Sequence, residues 1–455
     1  MSTGLTGRIA DFVAGIRYDD IPGPAMDVVR TGLTDCVGVM IAGAGEPVTG
    51  IVGAAVPHRD GDGEARICLS PERAAAADAA LIAGTAAHAL DYDDVAMDAH
   101  PSSPLVATLL SAGEALGSSG RELVTAYVAG YEAWADLAFR DRAPHHAKGW
   151  HPTAIFGVVA AAAAAAVLYR LAPGQVRAAL GIAASHAGGI TANFGTMTKP
   201  FHVGRAAAGG IMAARLARAG MTAADDALEH PLGYLSAISP GGEVDRDAGS
   251  SHLGREWRIL RYGLNVKKYP LCYAVHRALD GFFDLAAARP VAAGEIADVQ
   301  MRLGATQAAI LRNHRPRTAI EARFSGEFAC AAAAVAGTVG LRELSDDFVR
   351  RDDVRRLMEK VAITTTEATD ADAPAFAPAD RIVVRLAGGE VLDSGEIRHA
   401  RGHARLPLTR AEMWTKFADC VSPAAGEATA RTLFDRLQRI EELANVAELP
   451  TVGRT

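Results

Sequence analysis

GWHPTAIFGVVAAAAAAAVLYR, residues 149–170, is the stretch on which the fold turns. Between Pro152 and Tyr169 it carries no charged side chain, and it approaches the roughly 18 apolar residues at which a membrane span must be considered. Its centre is alanine rather than leucine, a proline opens it, and His151 and Arg170 flank it. It therefore reads as a helix packed closely inside a large helical protein, not as a span. Outward from it, helical spacing of Leu, Val and Ile in Ala-rich sequence recurs at 26–44, 74–90, 104–117, 121–137, 174–187 and 200–219, with Gly or Gly-Ser breaks between. Gly204 and Gly209-Gly210 fall inside the last of these and read as close-packing positions.

The texture changes near residue 265. A helix is expected from Pro270 to Ala288, then a strand at IADVQMRLG (296–304), then helical stretches at 320–339 and 346–361. RIVVRLAGGEVLDS (381–394) alternates apolar and polar residues around a Gly-Gly turn, as a β-hairpin does. From Thr409 to about Ala447 the pattern is helical again. The expected fold class is thus mainly α: a large all-helical domain (1–264 and 399–455) with an inserted, smaller α+β lid domain (265–398).

Composition narrows the function. The chain has 455 residues, 49% hydrophobic and 22% charged, enough for two or three domains with large cores. A net charge of −7 argues against a nucleic-acid partner. Five cysteines, scattered and without a CxxC, argue against a disulfide framework and against a zinc or iron–sulfur cage. The N-terminal sequence MSTGLTGRIADFVAG lacks the basic start and apolar run of a secretory signal, so a cytoplasmic location and no membrane partner are expected. There is no GxGxxG after a strand, no Walker loop and no GxSxG. The pair His145-His146 reads as solvated surface.

Four times a proline suited to opening a helix follows closely on a histidine or lysine: His100-Pro101, His151-Pro152, Lys199-Pro200 and Lys267-Lys268-Tyr269-Pro270. A helix N-terminus presents free N–H groups and a partial positive charge, so a cation there is unfavourable unless an anion offsets it. A substrate carboxylate would do so, accepting bonds from the helix end and from the basic side chain. Taken singly, each pair is as well explained by chance; together they point to an anion site if they converge. The segment HALDYDDVAMDAHPSSP (88–104) adds Asp91, Asp93, Asp94 and Asp98 beside His100. On one helix turn Asp91, Asp93 and Asp94 cannot all point the same way, and no HExxH is present, so no metal is expected. One of these carboxylates is expected to orient a histidine.

DYDDVAMDAHPSSP, GWHPTAIFG, TMTKPFHVGRAAAGG (196–210), TAADDALEHPLGYL (222–235) and VKKYPLCYAVHRALD (266–280), in that order, resemble the MmgE/PrpD family, which includes 2-methylcitrate dehydratase, cis-aconitate decarboxylase and iminodisuccinate epimerase. The resemblance covers nearly the whole chain. It implies a helical domain with an α+β lid, a homodimer, no cofactor and no metal, and a site between the domains. Carried over by motif, the catalytic residues are Asp91, His100, His151, Lys199 and Lys267, with Tyr269, His276, Phe328 and Val95 as further substrate contacts. Val95 and Phe328 stand where the decarboxylase pattern has a threonine and a tyrosine, which argues against cis-aconitate decarboxylation. The expected activity is a hydro-lyase acting on a small hydroxy di- or tricarboxylate. His151 would be the base, and His100, placed by Asp91, the acid; Lys199 and Lys267 would bind carboxylates. Epimerisation of a dicarboxylate is the first alternative; decarboxylation and non-catalytic binding of a polycarboxylate follow.

Overall fold

The computed structural model describes residues 4–57, 63–141, 143–247, 249–250, 252–371 and 376–453. The chain divides into two compact units, Met1–Leu264 with Cys420–Thr455, and Asn265–Asp419.

In the first unit the alanine-rich segments form α1 (Leu5–Gly15), α2 (Gly23–Gly43), α3 (Pro47–Ala54), α4 (Ala76–Ala89), α5 (Ser102–Leu116), α6 (Gly120–Ala138), α7 (Pro152–Leu168), α8 (Pro173–Ala184) and α9 (Thr198–Arg218). The stretch that opens the sequence reading is α7, buried from Pro152 through Ala166. Among the described residues no single helix is long and apolar enough to cross a membrane. Alanine and glycine are abundant because helices here meet backbone to backbone. A methyl group added at Gly204 of α9 would lie 2.0 Å from the Leu81 carbonyl oxygen of α4, and one at Gly210 2.4 Å from Ala161 of α7. Small residues let dispersion contacts form at short interaxial distance, and larger ones would part the helices.

The second unit is built on a four-stranded sheet. Its strands are β1 (Ile296–Gly304), β2 (Val361–Thr366), β3 (Arg381–Leu386) and β4 (Val391–Asp393), in the order β2-β1-β3-β4. β1 pairs parallel with β2 and antiparallel with β3, and β3 with β4 forms the expected hairpin, closed by Gly389 N–H donating to Leu386 O. Helices α10 (His276–Ala288) and α11 (Gly326–Ala336) belong to the same unit. Residues 399–419 also belong here: Val266 N–H donates to Gly402 O, and Arg401 N–H to the Asp280 carboxylate. The chain then continues through α12 (Arg410–Ala425) and α13 (Glu427–Leu437).

Three expectations for this unit are corrected. The helix expected from Pro270 begins at His276, after a 3-10 turn at Tyr273–Val275, so Pro270 opens no helix. The stretch 320–339 is interrupted at Ser325, whose hydroxyl accepts the Phe328 N–H and starts α11 as an N-cap. The stretch 346–361 ends in two short helices, and the β-branched VAITTT that follows becomes β2, its Ile363 opposite Met301.

Candidate active site

The segment after α4 is not helical, and this changes where its carboxylates point. His88 sits in the last turn of α4; beyond it Asp91, Met97 and Asp98 adopt left-handed backbone angles (φ 51°, 52° and 55°). These angles are costly for residues other than glycine, so the surrounding structure must enforce them. They turn the chain so that Asp91 and Asp93 both face His100, while Asp94 points away, so the three carboxylates do not share one direction. Asp94 is buried elsewhere, where its charge raises the pKa values of Cys36 and Tyr127, though burial is the larger cause for both.

Asp93 is wholly buried. It lies 2.9 Å from His88 Nδ1 and 3.3 Å from His100 Nδ1, and it accepts a short hydrogen bond from Ser103 Oγ. Burial alone would raise its pKa, but the flanking His100 and His88 outweigh that and hold the carboxyl well below its usual range. His88 is pulled down to about 4, chiefly by burial and against the pull of Asp93. Asp91 faces the other side of the cluster: Lys199 Nζ donates to its Oδ1 at 2.7 Å, and His100 Nε2 is 3.7 Å from the same oxygen.

His151 is the N-cap of α7, and its ring makes no cap bond. Its backbone N–H donates to Gly189 O, and Nδ1 meets His202 Nδ1 at 3.2 Å, so one of these two nitrogens is protonated and the other is not. Its ring stacks on His88 (centroids 5.6 Å) and meets the edge of Phe194 (4.9 Å), over which Lys199 Nζ lies at 5.2 Å. Burial first, then the neighbouring His88, Lys199 and His100, depress the His151 pKa far below the ordinary imidazole value. It is uncharged at neutral pH.

Asp91, His100, His151 and Lys199 therefore gather in the first unit, with Val95 half-buried in the same turn. Of the proline device, only Pro152 stands at the first helical position; Pro101 is the N-cap of α5, and Lys199 and Pro200 lie inside the first turn of α9. Lys267, Tyr269, His276 and Phe328 belong to the second unit. Lys267 is 2% exposed there, and Tyr269 donates to the Asp280 carboxylate at 2.8 Å. Phe328 and His276 are each 0% exposed. Phe328 is part of the unit's apolar core, against Phe348, and His276 Nε2 meets Leu271 O at 3.2 Å. Both side chains are thus packed inside the second unit. His145, expected at the surface, is buried against Phe156.

Sequence reasoning missed His88 and His202 as members of the cluster, and it named Asp93 among the carboxylates beside His100 without singling it out. All three stood inside quoted motifs; for His202 the i, i+3 spacing from Lys199 on one helix was the available signal. The donor atoms of His88, Asp91, Asp93 and His100 lie within 4.8 Å of one another, close enough to surround a cation, and the Lys199 ammonium bonded to Asp91 places a positive charge at that edge.

Comparison with known proteins gives two matches to family models, the MmgE/PrpD N-terminal domain over residues 7–247 and the MmgE/PrpD C-terminal domain over 269–440. Similar curated proteins are the cis-aconitate decarboxylase of Mus musculus, 26% identical across 99% of this chain and 93% of that protein, and that of Homo sapiens, 28% identical across 82% and 78%. The cis-aconitate decarboxylase of Aspergillus terreus is 23% identical across 98% of this chain and 95% of its own length.

Proposed function

The chain belongs to the MmgE/PrpD family, and from that premise we propose that it is a lyase that removes water from a small hydroxy di- or tricarboxylate, in the manner of a 2-methylcitrate dehydratase. One observation carries the reading: a buried, uncharged imidazole, His151, beside an ammonium, Lys199, that lies over the same phenyl ring. A neutral imidazole can take a proton; an ammonium can hold a carboxylate and stabilise the negative charge that builds as the proton leaves. In this reading His151 removes the proton next to the substrate carboxylate. The freed electron pair forms the carbon–carbon double bond and expels the β-hydroxyl, which leaves as water with a proton from His100. Lys267 is assigned a second carboxylate on sequence grounds, and a homodimer working in the cytoplasm without a cofactor completes the proposal.

A second reading is decarboxylation, favoured by the names of the curated relatives. The carbon–carboxylate bond would break, its electron pair would stay on carbon, and His100 would protonate that carbon. Burial of Phe328 in an apolar core weakens one of the two sequence grounds against it, leaving Val95.

The test is to incubate the purified protein in D2O with 2-methylcitrate, citrate and cis-aconitate separately, following products by NMR. Loss of water from a hydroxy acid is expected. Release of CO2 from cis-aconitate would shift the assignment to the second reading, and deuterium incorporation without loss of water would shift it to epimerisation. Inertness toward all three would remove the proposed substrates.

A further inference from the structure

Asp91 was the expected orienter of His100, but its carboxylate is engaged by Lys199 at 2.7 Å and stands 3.7 Å from His100 Nε2. On the opposite edge of the ring Nδ1 is buried, makes no hydrogen bond of good geometry among the described residues, and lies at an ion-pair distance of 3.3 Å from Asp93 Oδ2. Asp93 is itself fixed: it is 0% exposed, accepts a hydrogen bond from the Ser103 hydroxyl, and meets His88 Nδ1 with both oxygens at 2.9 and 3.0 Å. A carboxylate so placed accepts hydrogen bonds and donates none. Any ring nitrogen facing it is stabilised with its proton on.

We propose that Asp93, clamped by His88 and Ser103, is the positioning residue that keeps the proton of His100 on Nδ1, so that Nε2 is the atom that exchanges a proton with the substrate. The assignment deepens the lyase reading and rests on it for the role of Nε2, while the tautomer itself is a property of the free protein. Nδ1–H is the less common tautomer of a neutral imidazole, so its presence is a specific signature. Its physical worth is that of any buried carboxylate behind a catalytic histidine: with Nδ1–H facing Asp93, the proton given to the departing hydroxyl is taken up and released at Nε2 alone, and the imidazolium that carries it is balanced by the Asp93 charge. Asp91 is then left for the Lys199 ammonium, beside Nε2, where a substrate carboxylate would compete with it.

Histidine side-chain nitrogen NMR on the full-length protein, uniformly 15N-labelled and held at a pH where the rings are neutral, reads the tautomer directly; His100→Gln identifies the His100 signals. The expected spectrum shows His100 and His88 protonated at Nδ1. Asp93→Asn should move at least the His100 signals toward Nε2–H and lower kcat by about 10²–10⁴ with KM changed only a few-fold. Asp91→Asn should leave the tautomer in place. A wild-type His100 protonated at Nε2 would overturn the proposal, as would a folded Asp93→Asn protein with an unchanged His100 pattern. If Asp93→Asn does not fold, the wild-type spectrum still decides. A correct tautomer in a protein inert toward every polycarboxylate would keep this assignment and discard the lyase reading.

Discussion

At the level of single residues, the site works by keeping one imidazole empty of charge while a lysine stays close. His151 is neutral because it is buried and surrounded by other basic groups, and among the described residues nothing acidic is recorded facing its ring in the way that Asp93 faces His88 and His100. Replacing it by Gln keeps a polar group near His202 but removes the base. The expected result is a fall in kcat of about 10²–10⁴ with a small change in KM, measured by steady-state turnover and by solvent-deuterium exchange; unchanged exchange would assign the base elsewhere. Buried imidazoles also set the acid stability. His88 is held down to about 4 and His276 to about 3, against an unfolded value of about 6.5. Between those limits the unfolded chain binds more protons, so stability rises with pH: the penalty is absent above about 6.5 and grows as the pH falls toward the folded values. Urea unfolding should therefore show stability declining between pH 6.5 and 4. His276→Gln should flatten that decline, by an amount on the order of a few kcal/mol at most. An equal slope in variant and wild type would locate the acid sensitivity in other groups.

Among the elements, the decisive contact is the crossing of α4 and α9 at Gly84 and Gly204, where a methyl group on Gly84 would stand 2.8 Å from the Gly204 Cα. α4 delivers His88 and the turn with Asp91 and Asp93; α9 delivers Lys199 and His202 from its first two turns. Their spacing therefore fixes how far the lysine stands from Asp91. Gly204→Ala, with its new methyl 2.0 Å from a backbone oxygen, should cost about 1–3 kcal/mol of stability and weaken activity through a displaced Lys199. Chemical denaturation and kinetics on the same preparation check both; a variant as stable and active as wild type would mean that the crossing relaxes freely. The helices themselves were legible from alanine-rich periodicity, and their boundaries agree with the sequence reading to within a few residues for α2 and for α4 through α9. β2 was not: VAITTT follows directly on a helical stretch, and its pairing with β1, some 60 residues earlier, is a long-range decision.

For the molecule as a whole, the proposed homodimer predicts a mass in solution near twice that of one chain by light scattering, and a single-chain mass would remove it. The helical class, the hairpin at 381–394, the change of texture near 265 and the family motifs were all written in the sequence, because periodicity, turn chemistry and short motifs act over a few residues. The identities of Asp91, His100, His151 and Lys199 as candidates were equally legible, since each sits in a motif of its own. Which carboxylate meets which nitrogen was decided only in three dimensions. Left-handed angles at Asp91, Met97 and Asp98 take this segment off a helical path and set the directions of its acidic side chains. Close glycine contacts then bring segments more than 50 residues apart to within a hydrogen bond of one another, as His151 and His202 show. Neither effect leaves a periodic trace along the chain, because backbone strain of this kind is sustained by neighbours that are distant in sequence.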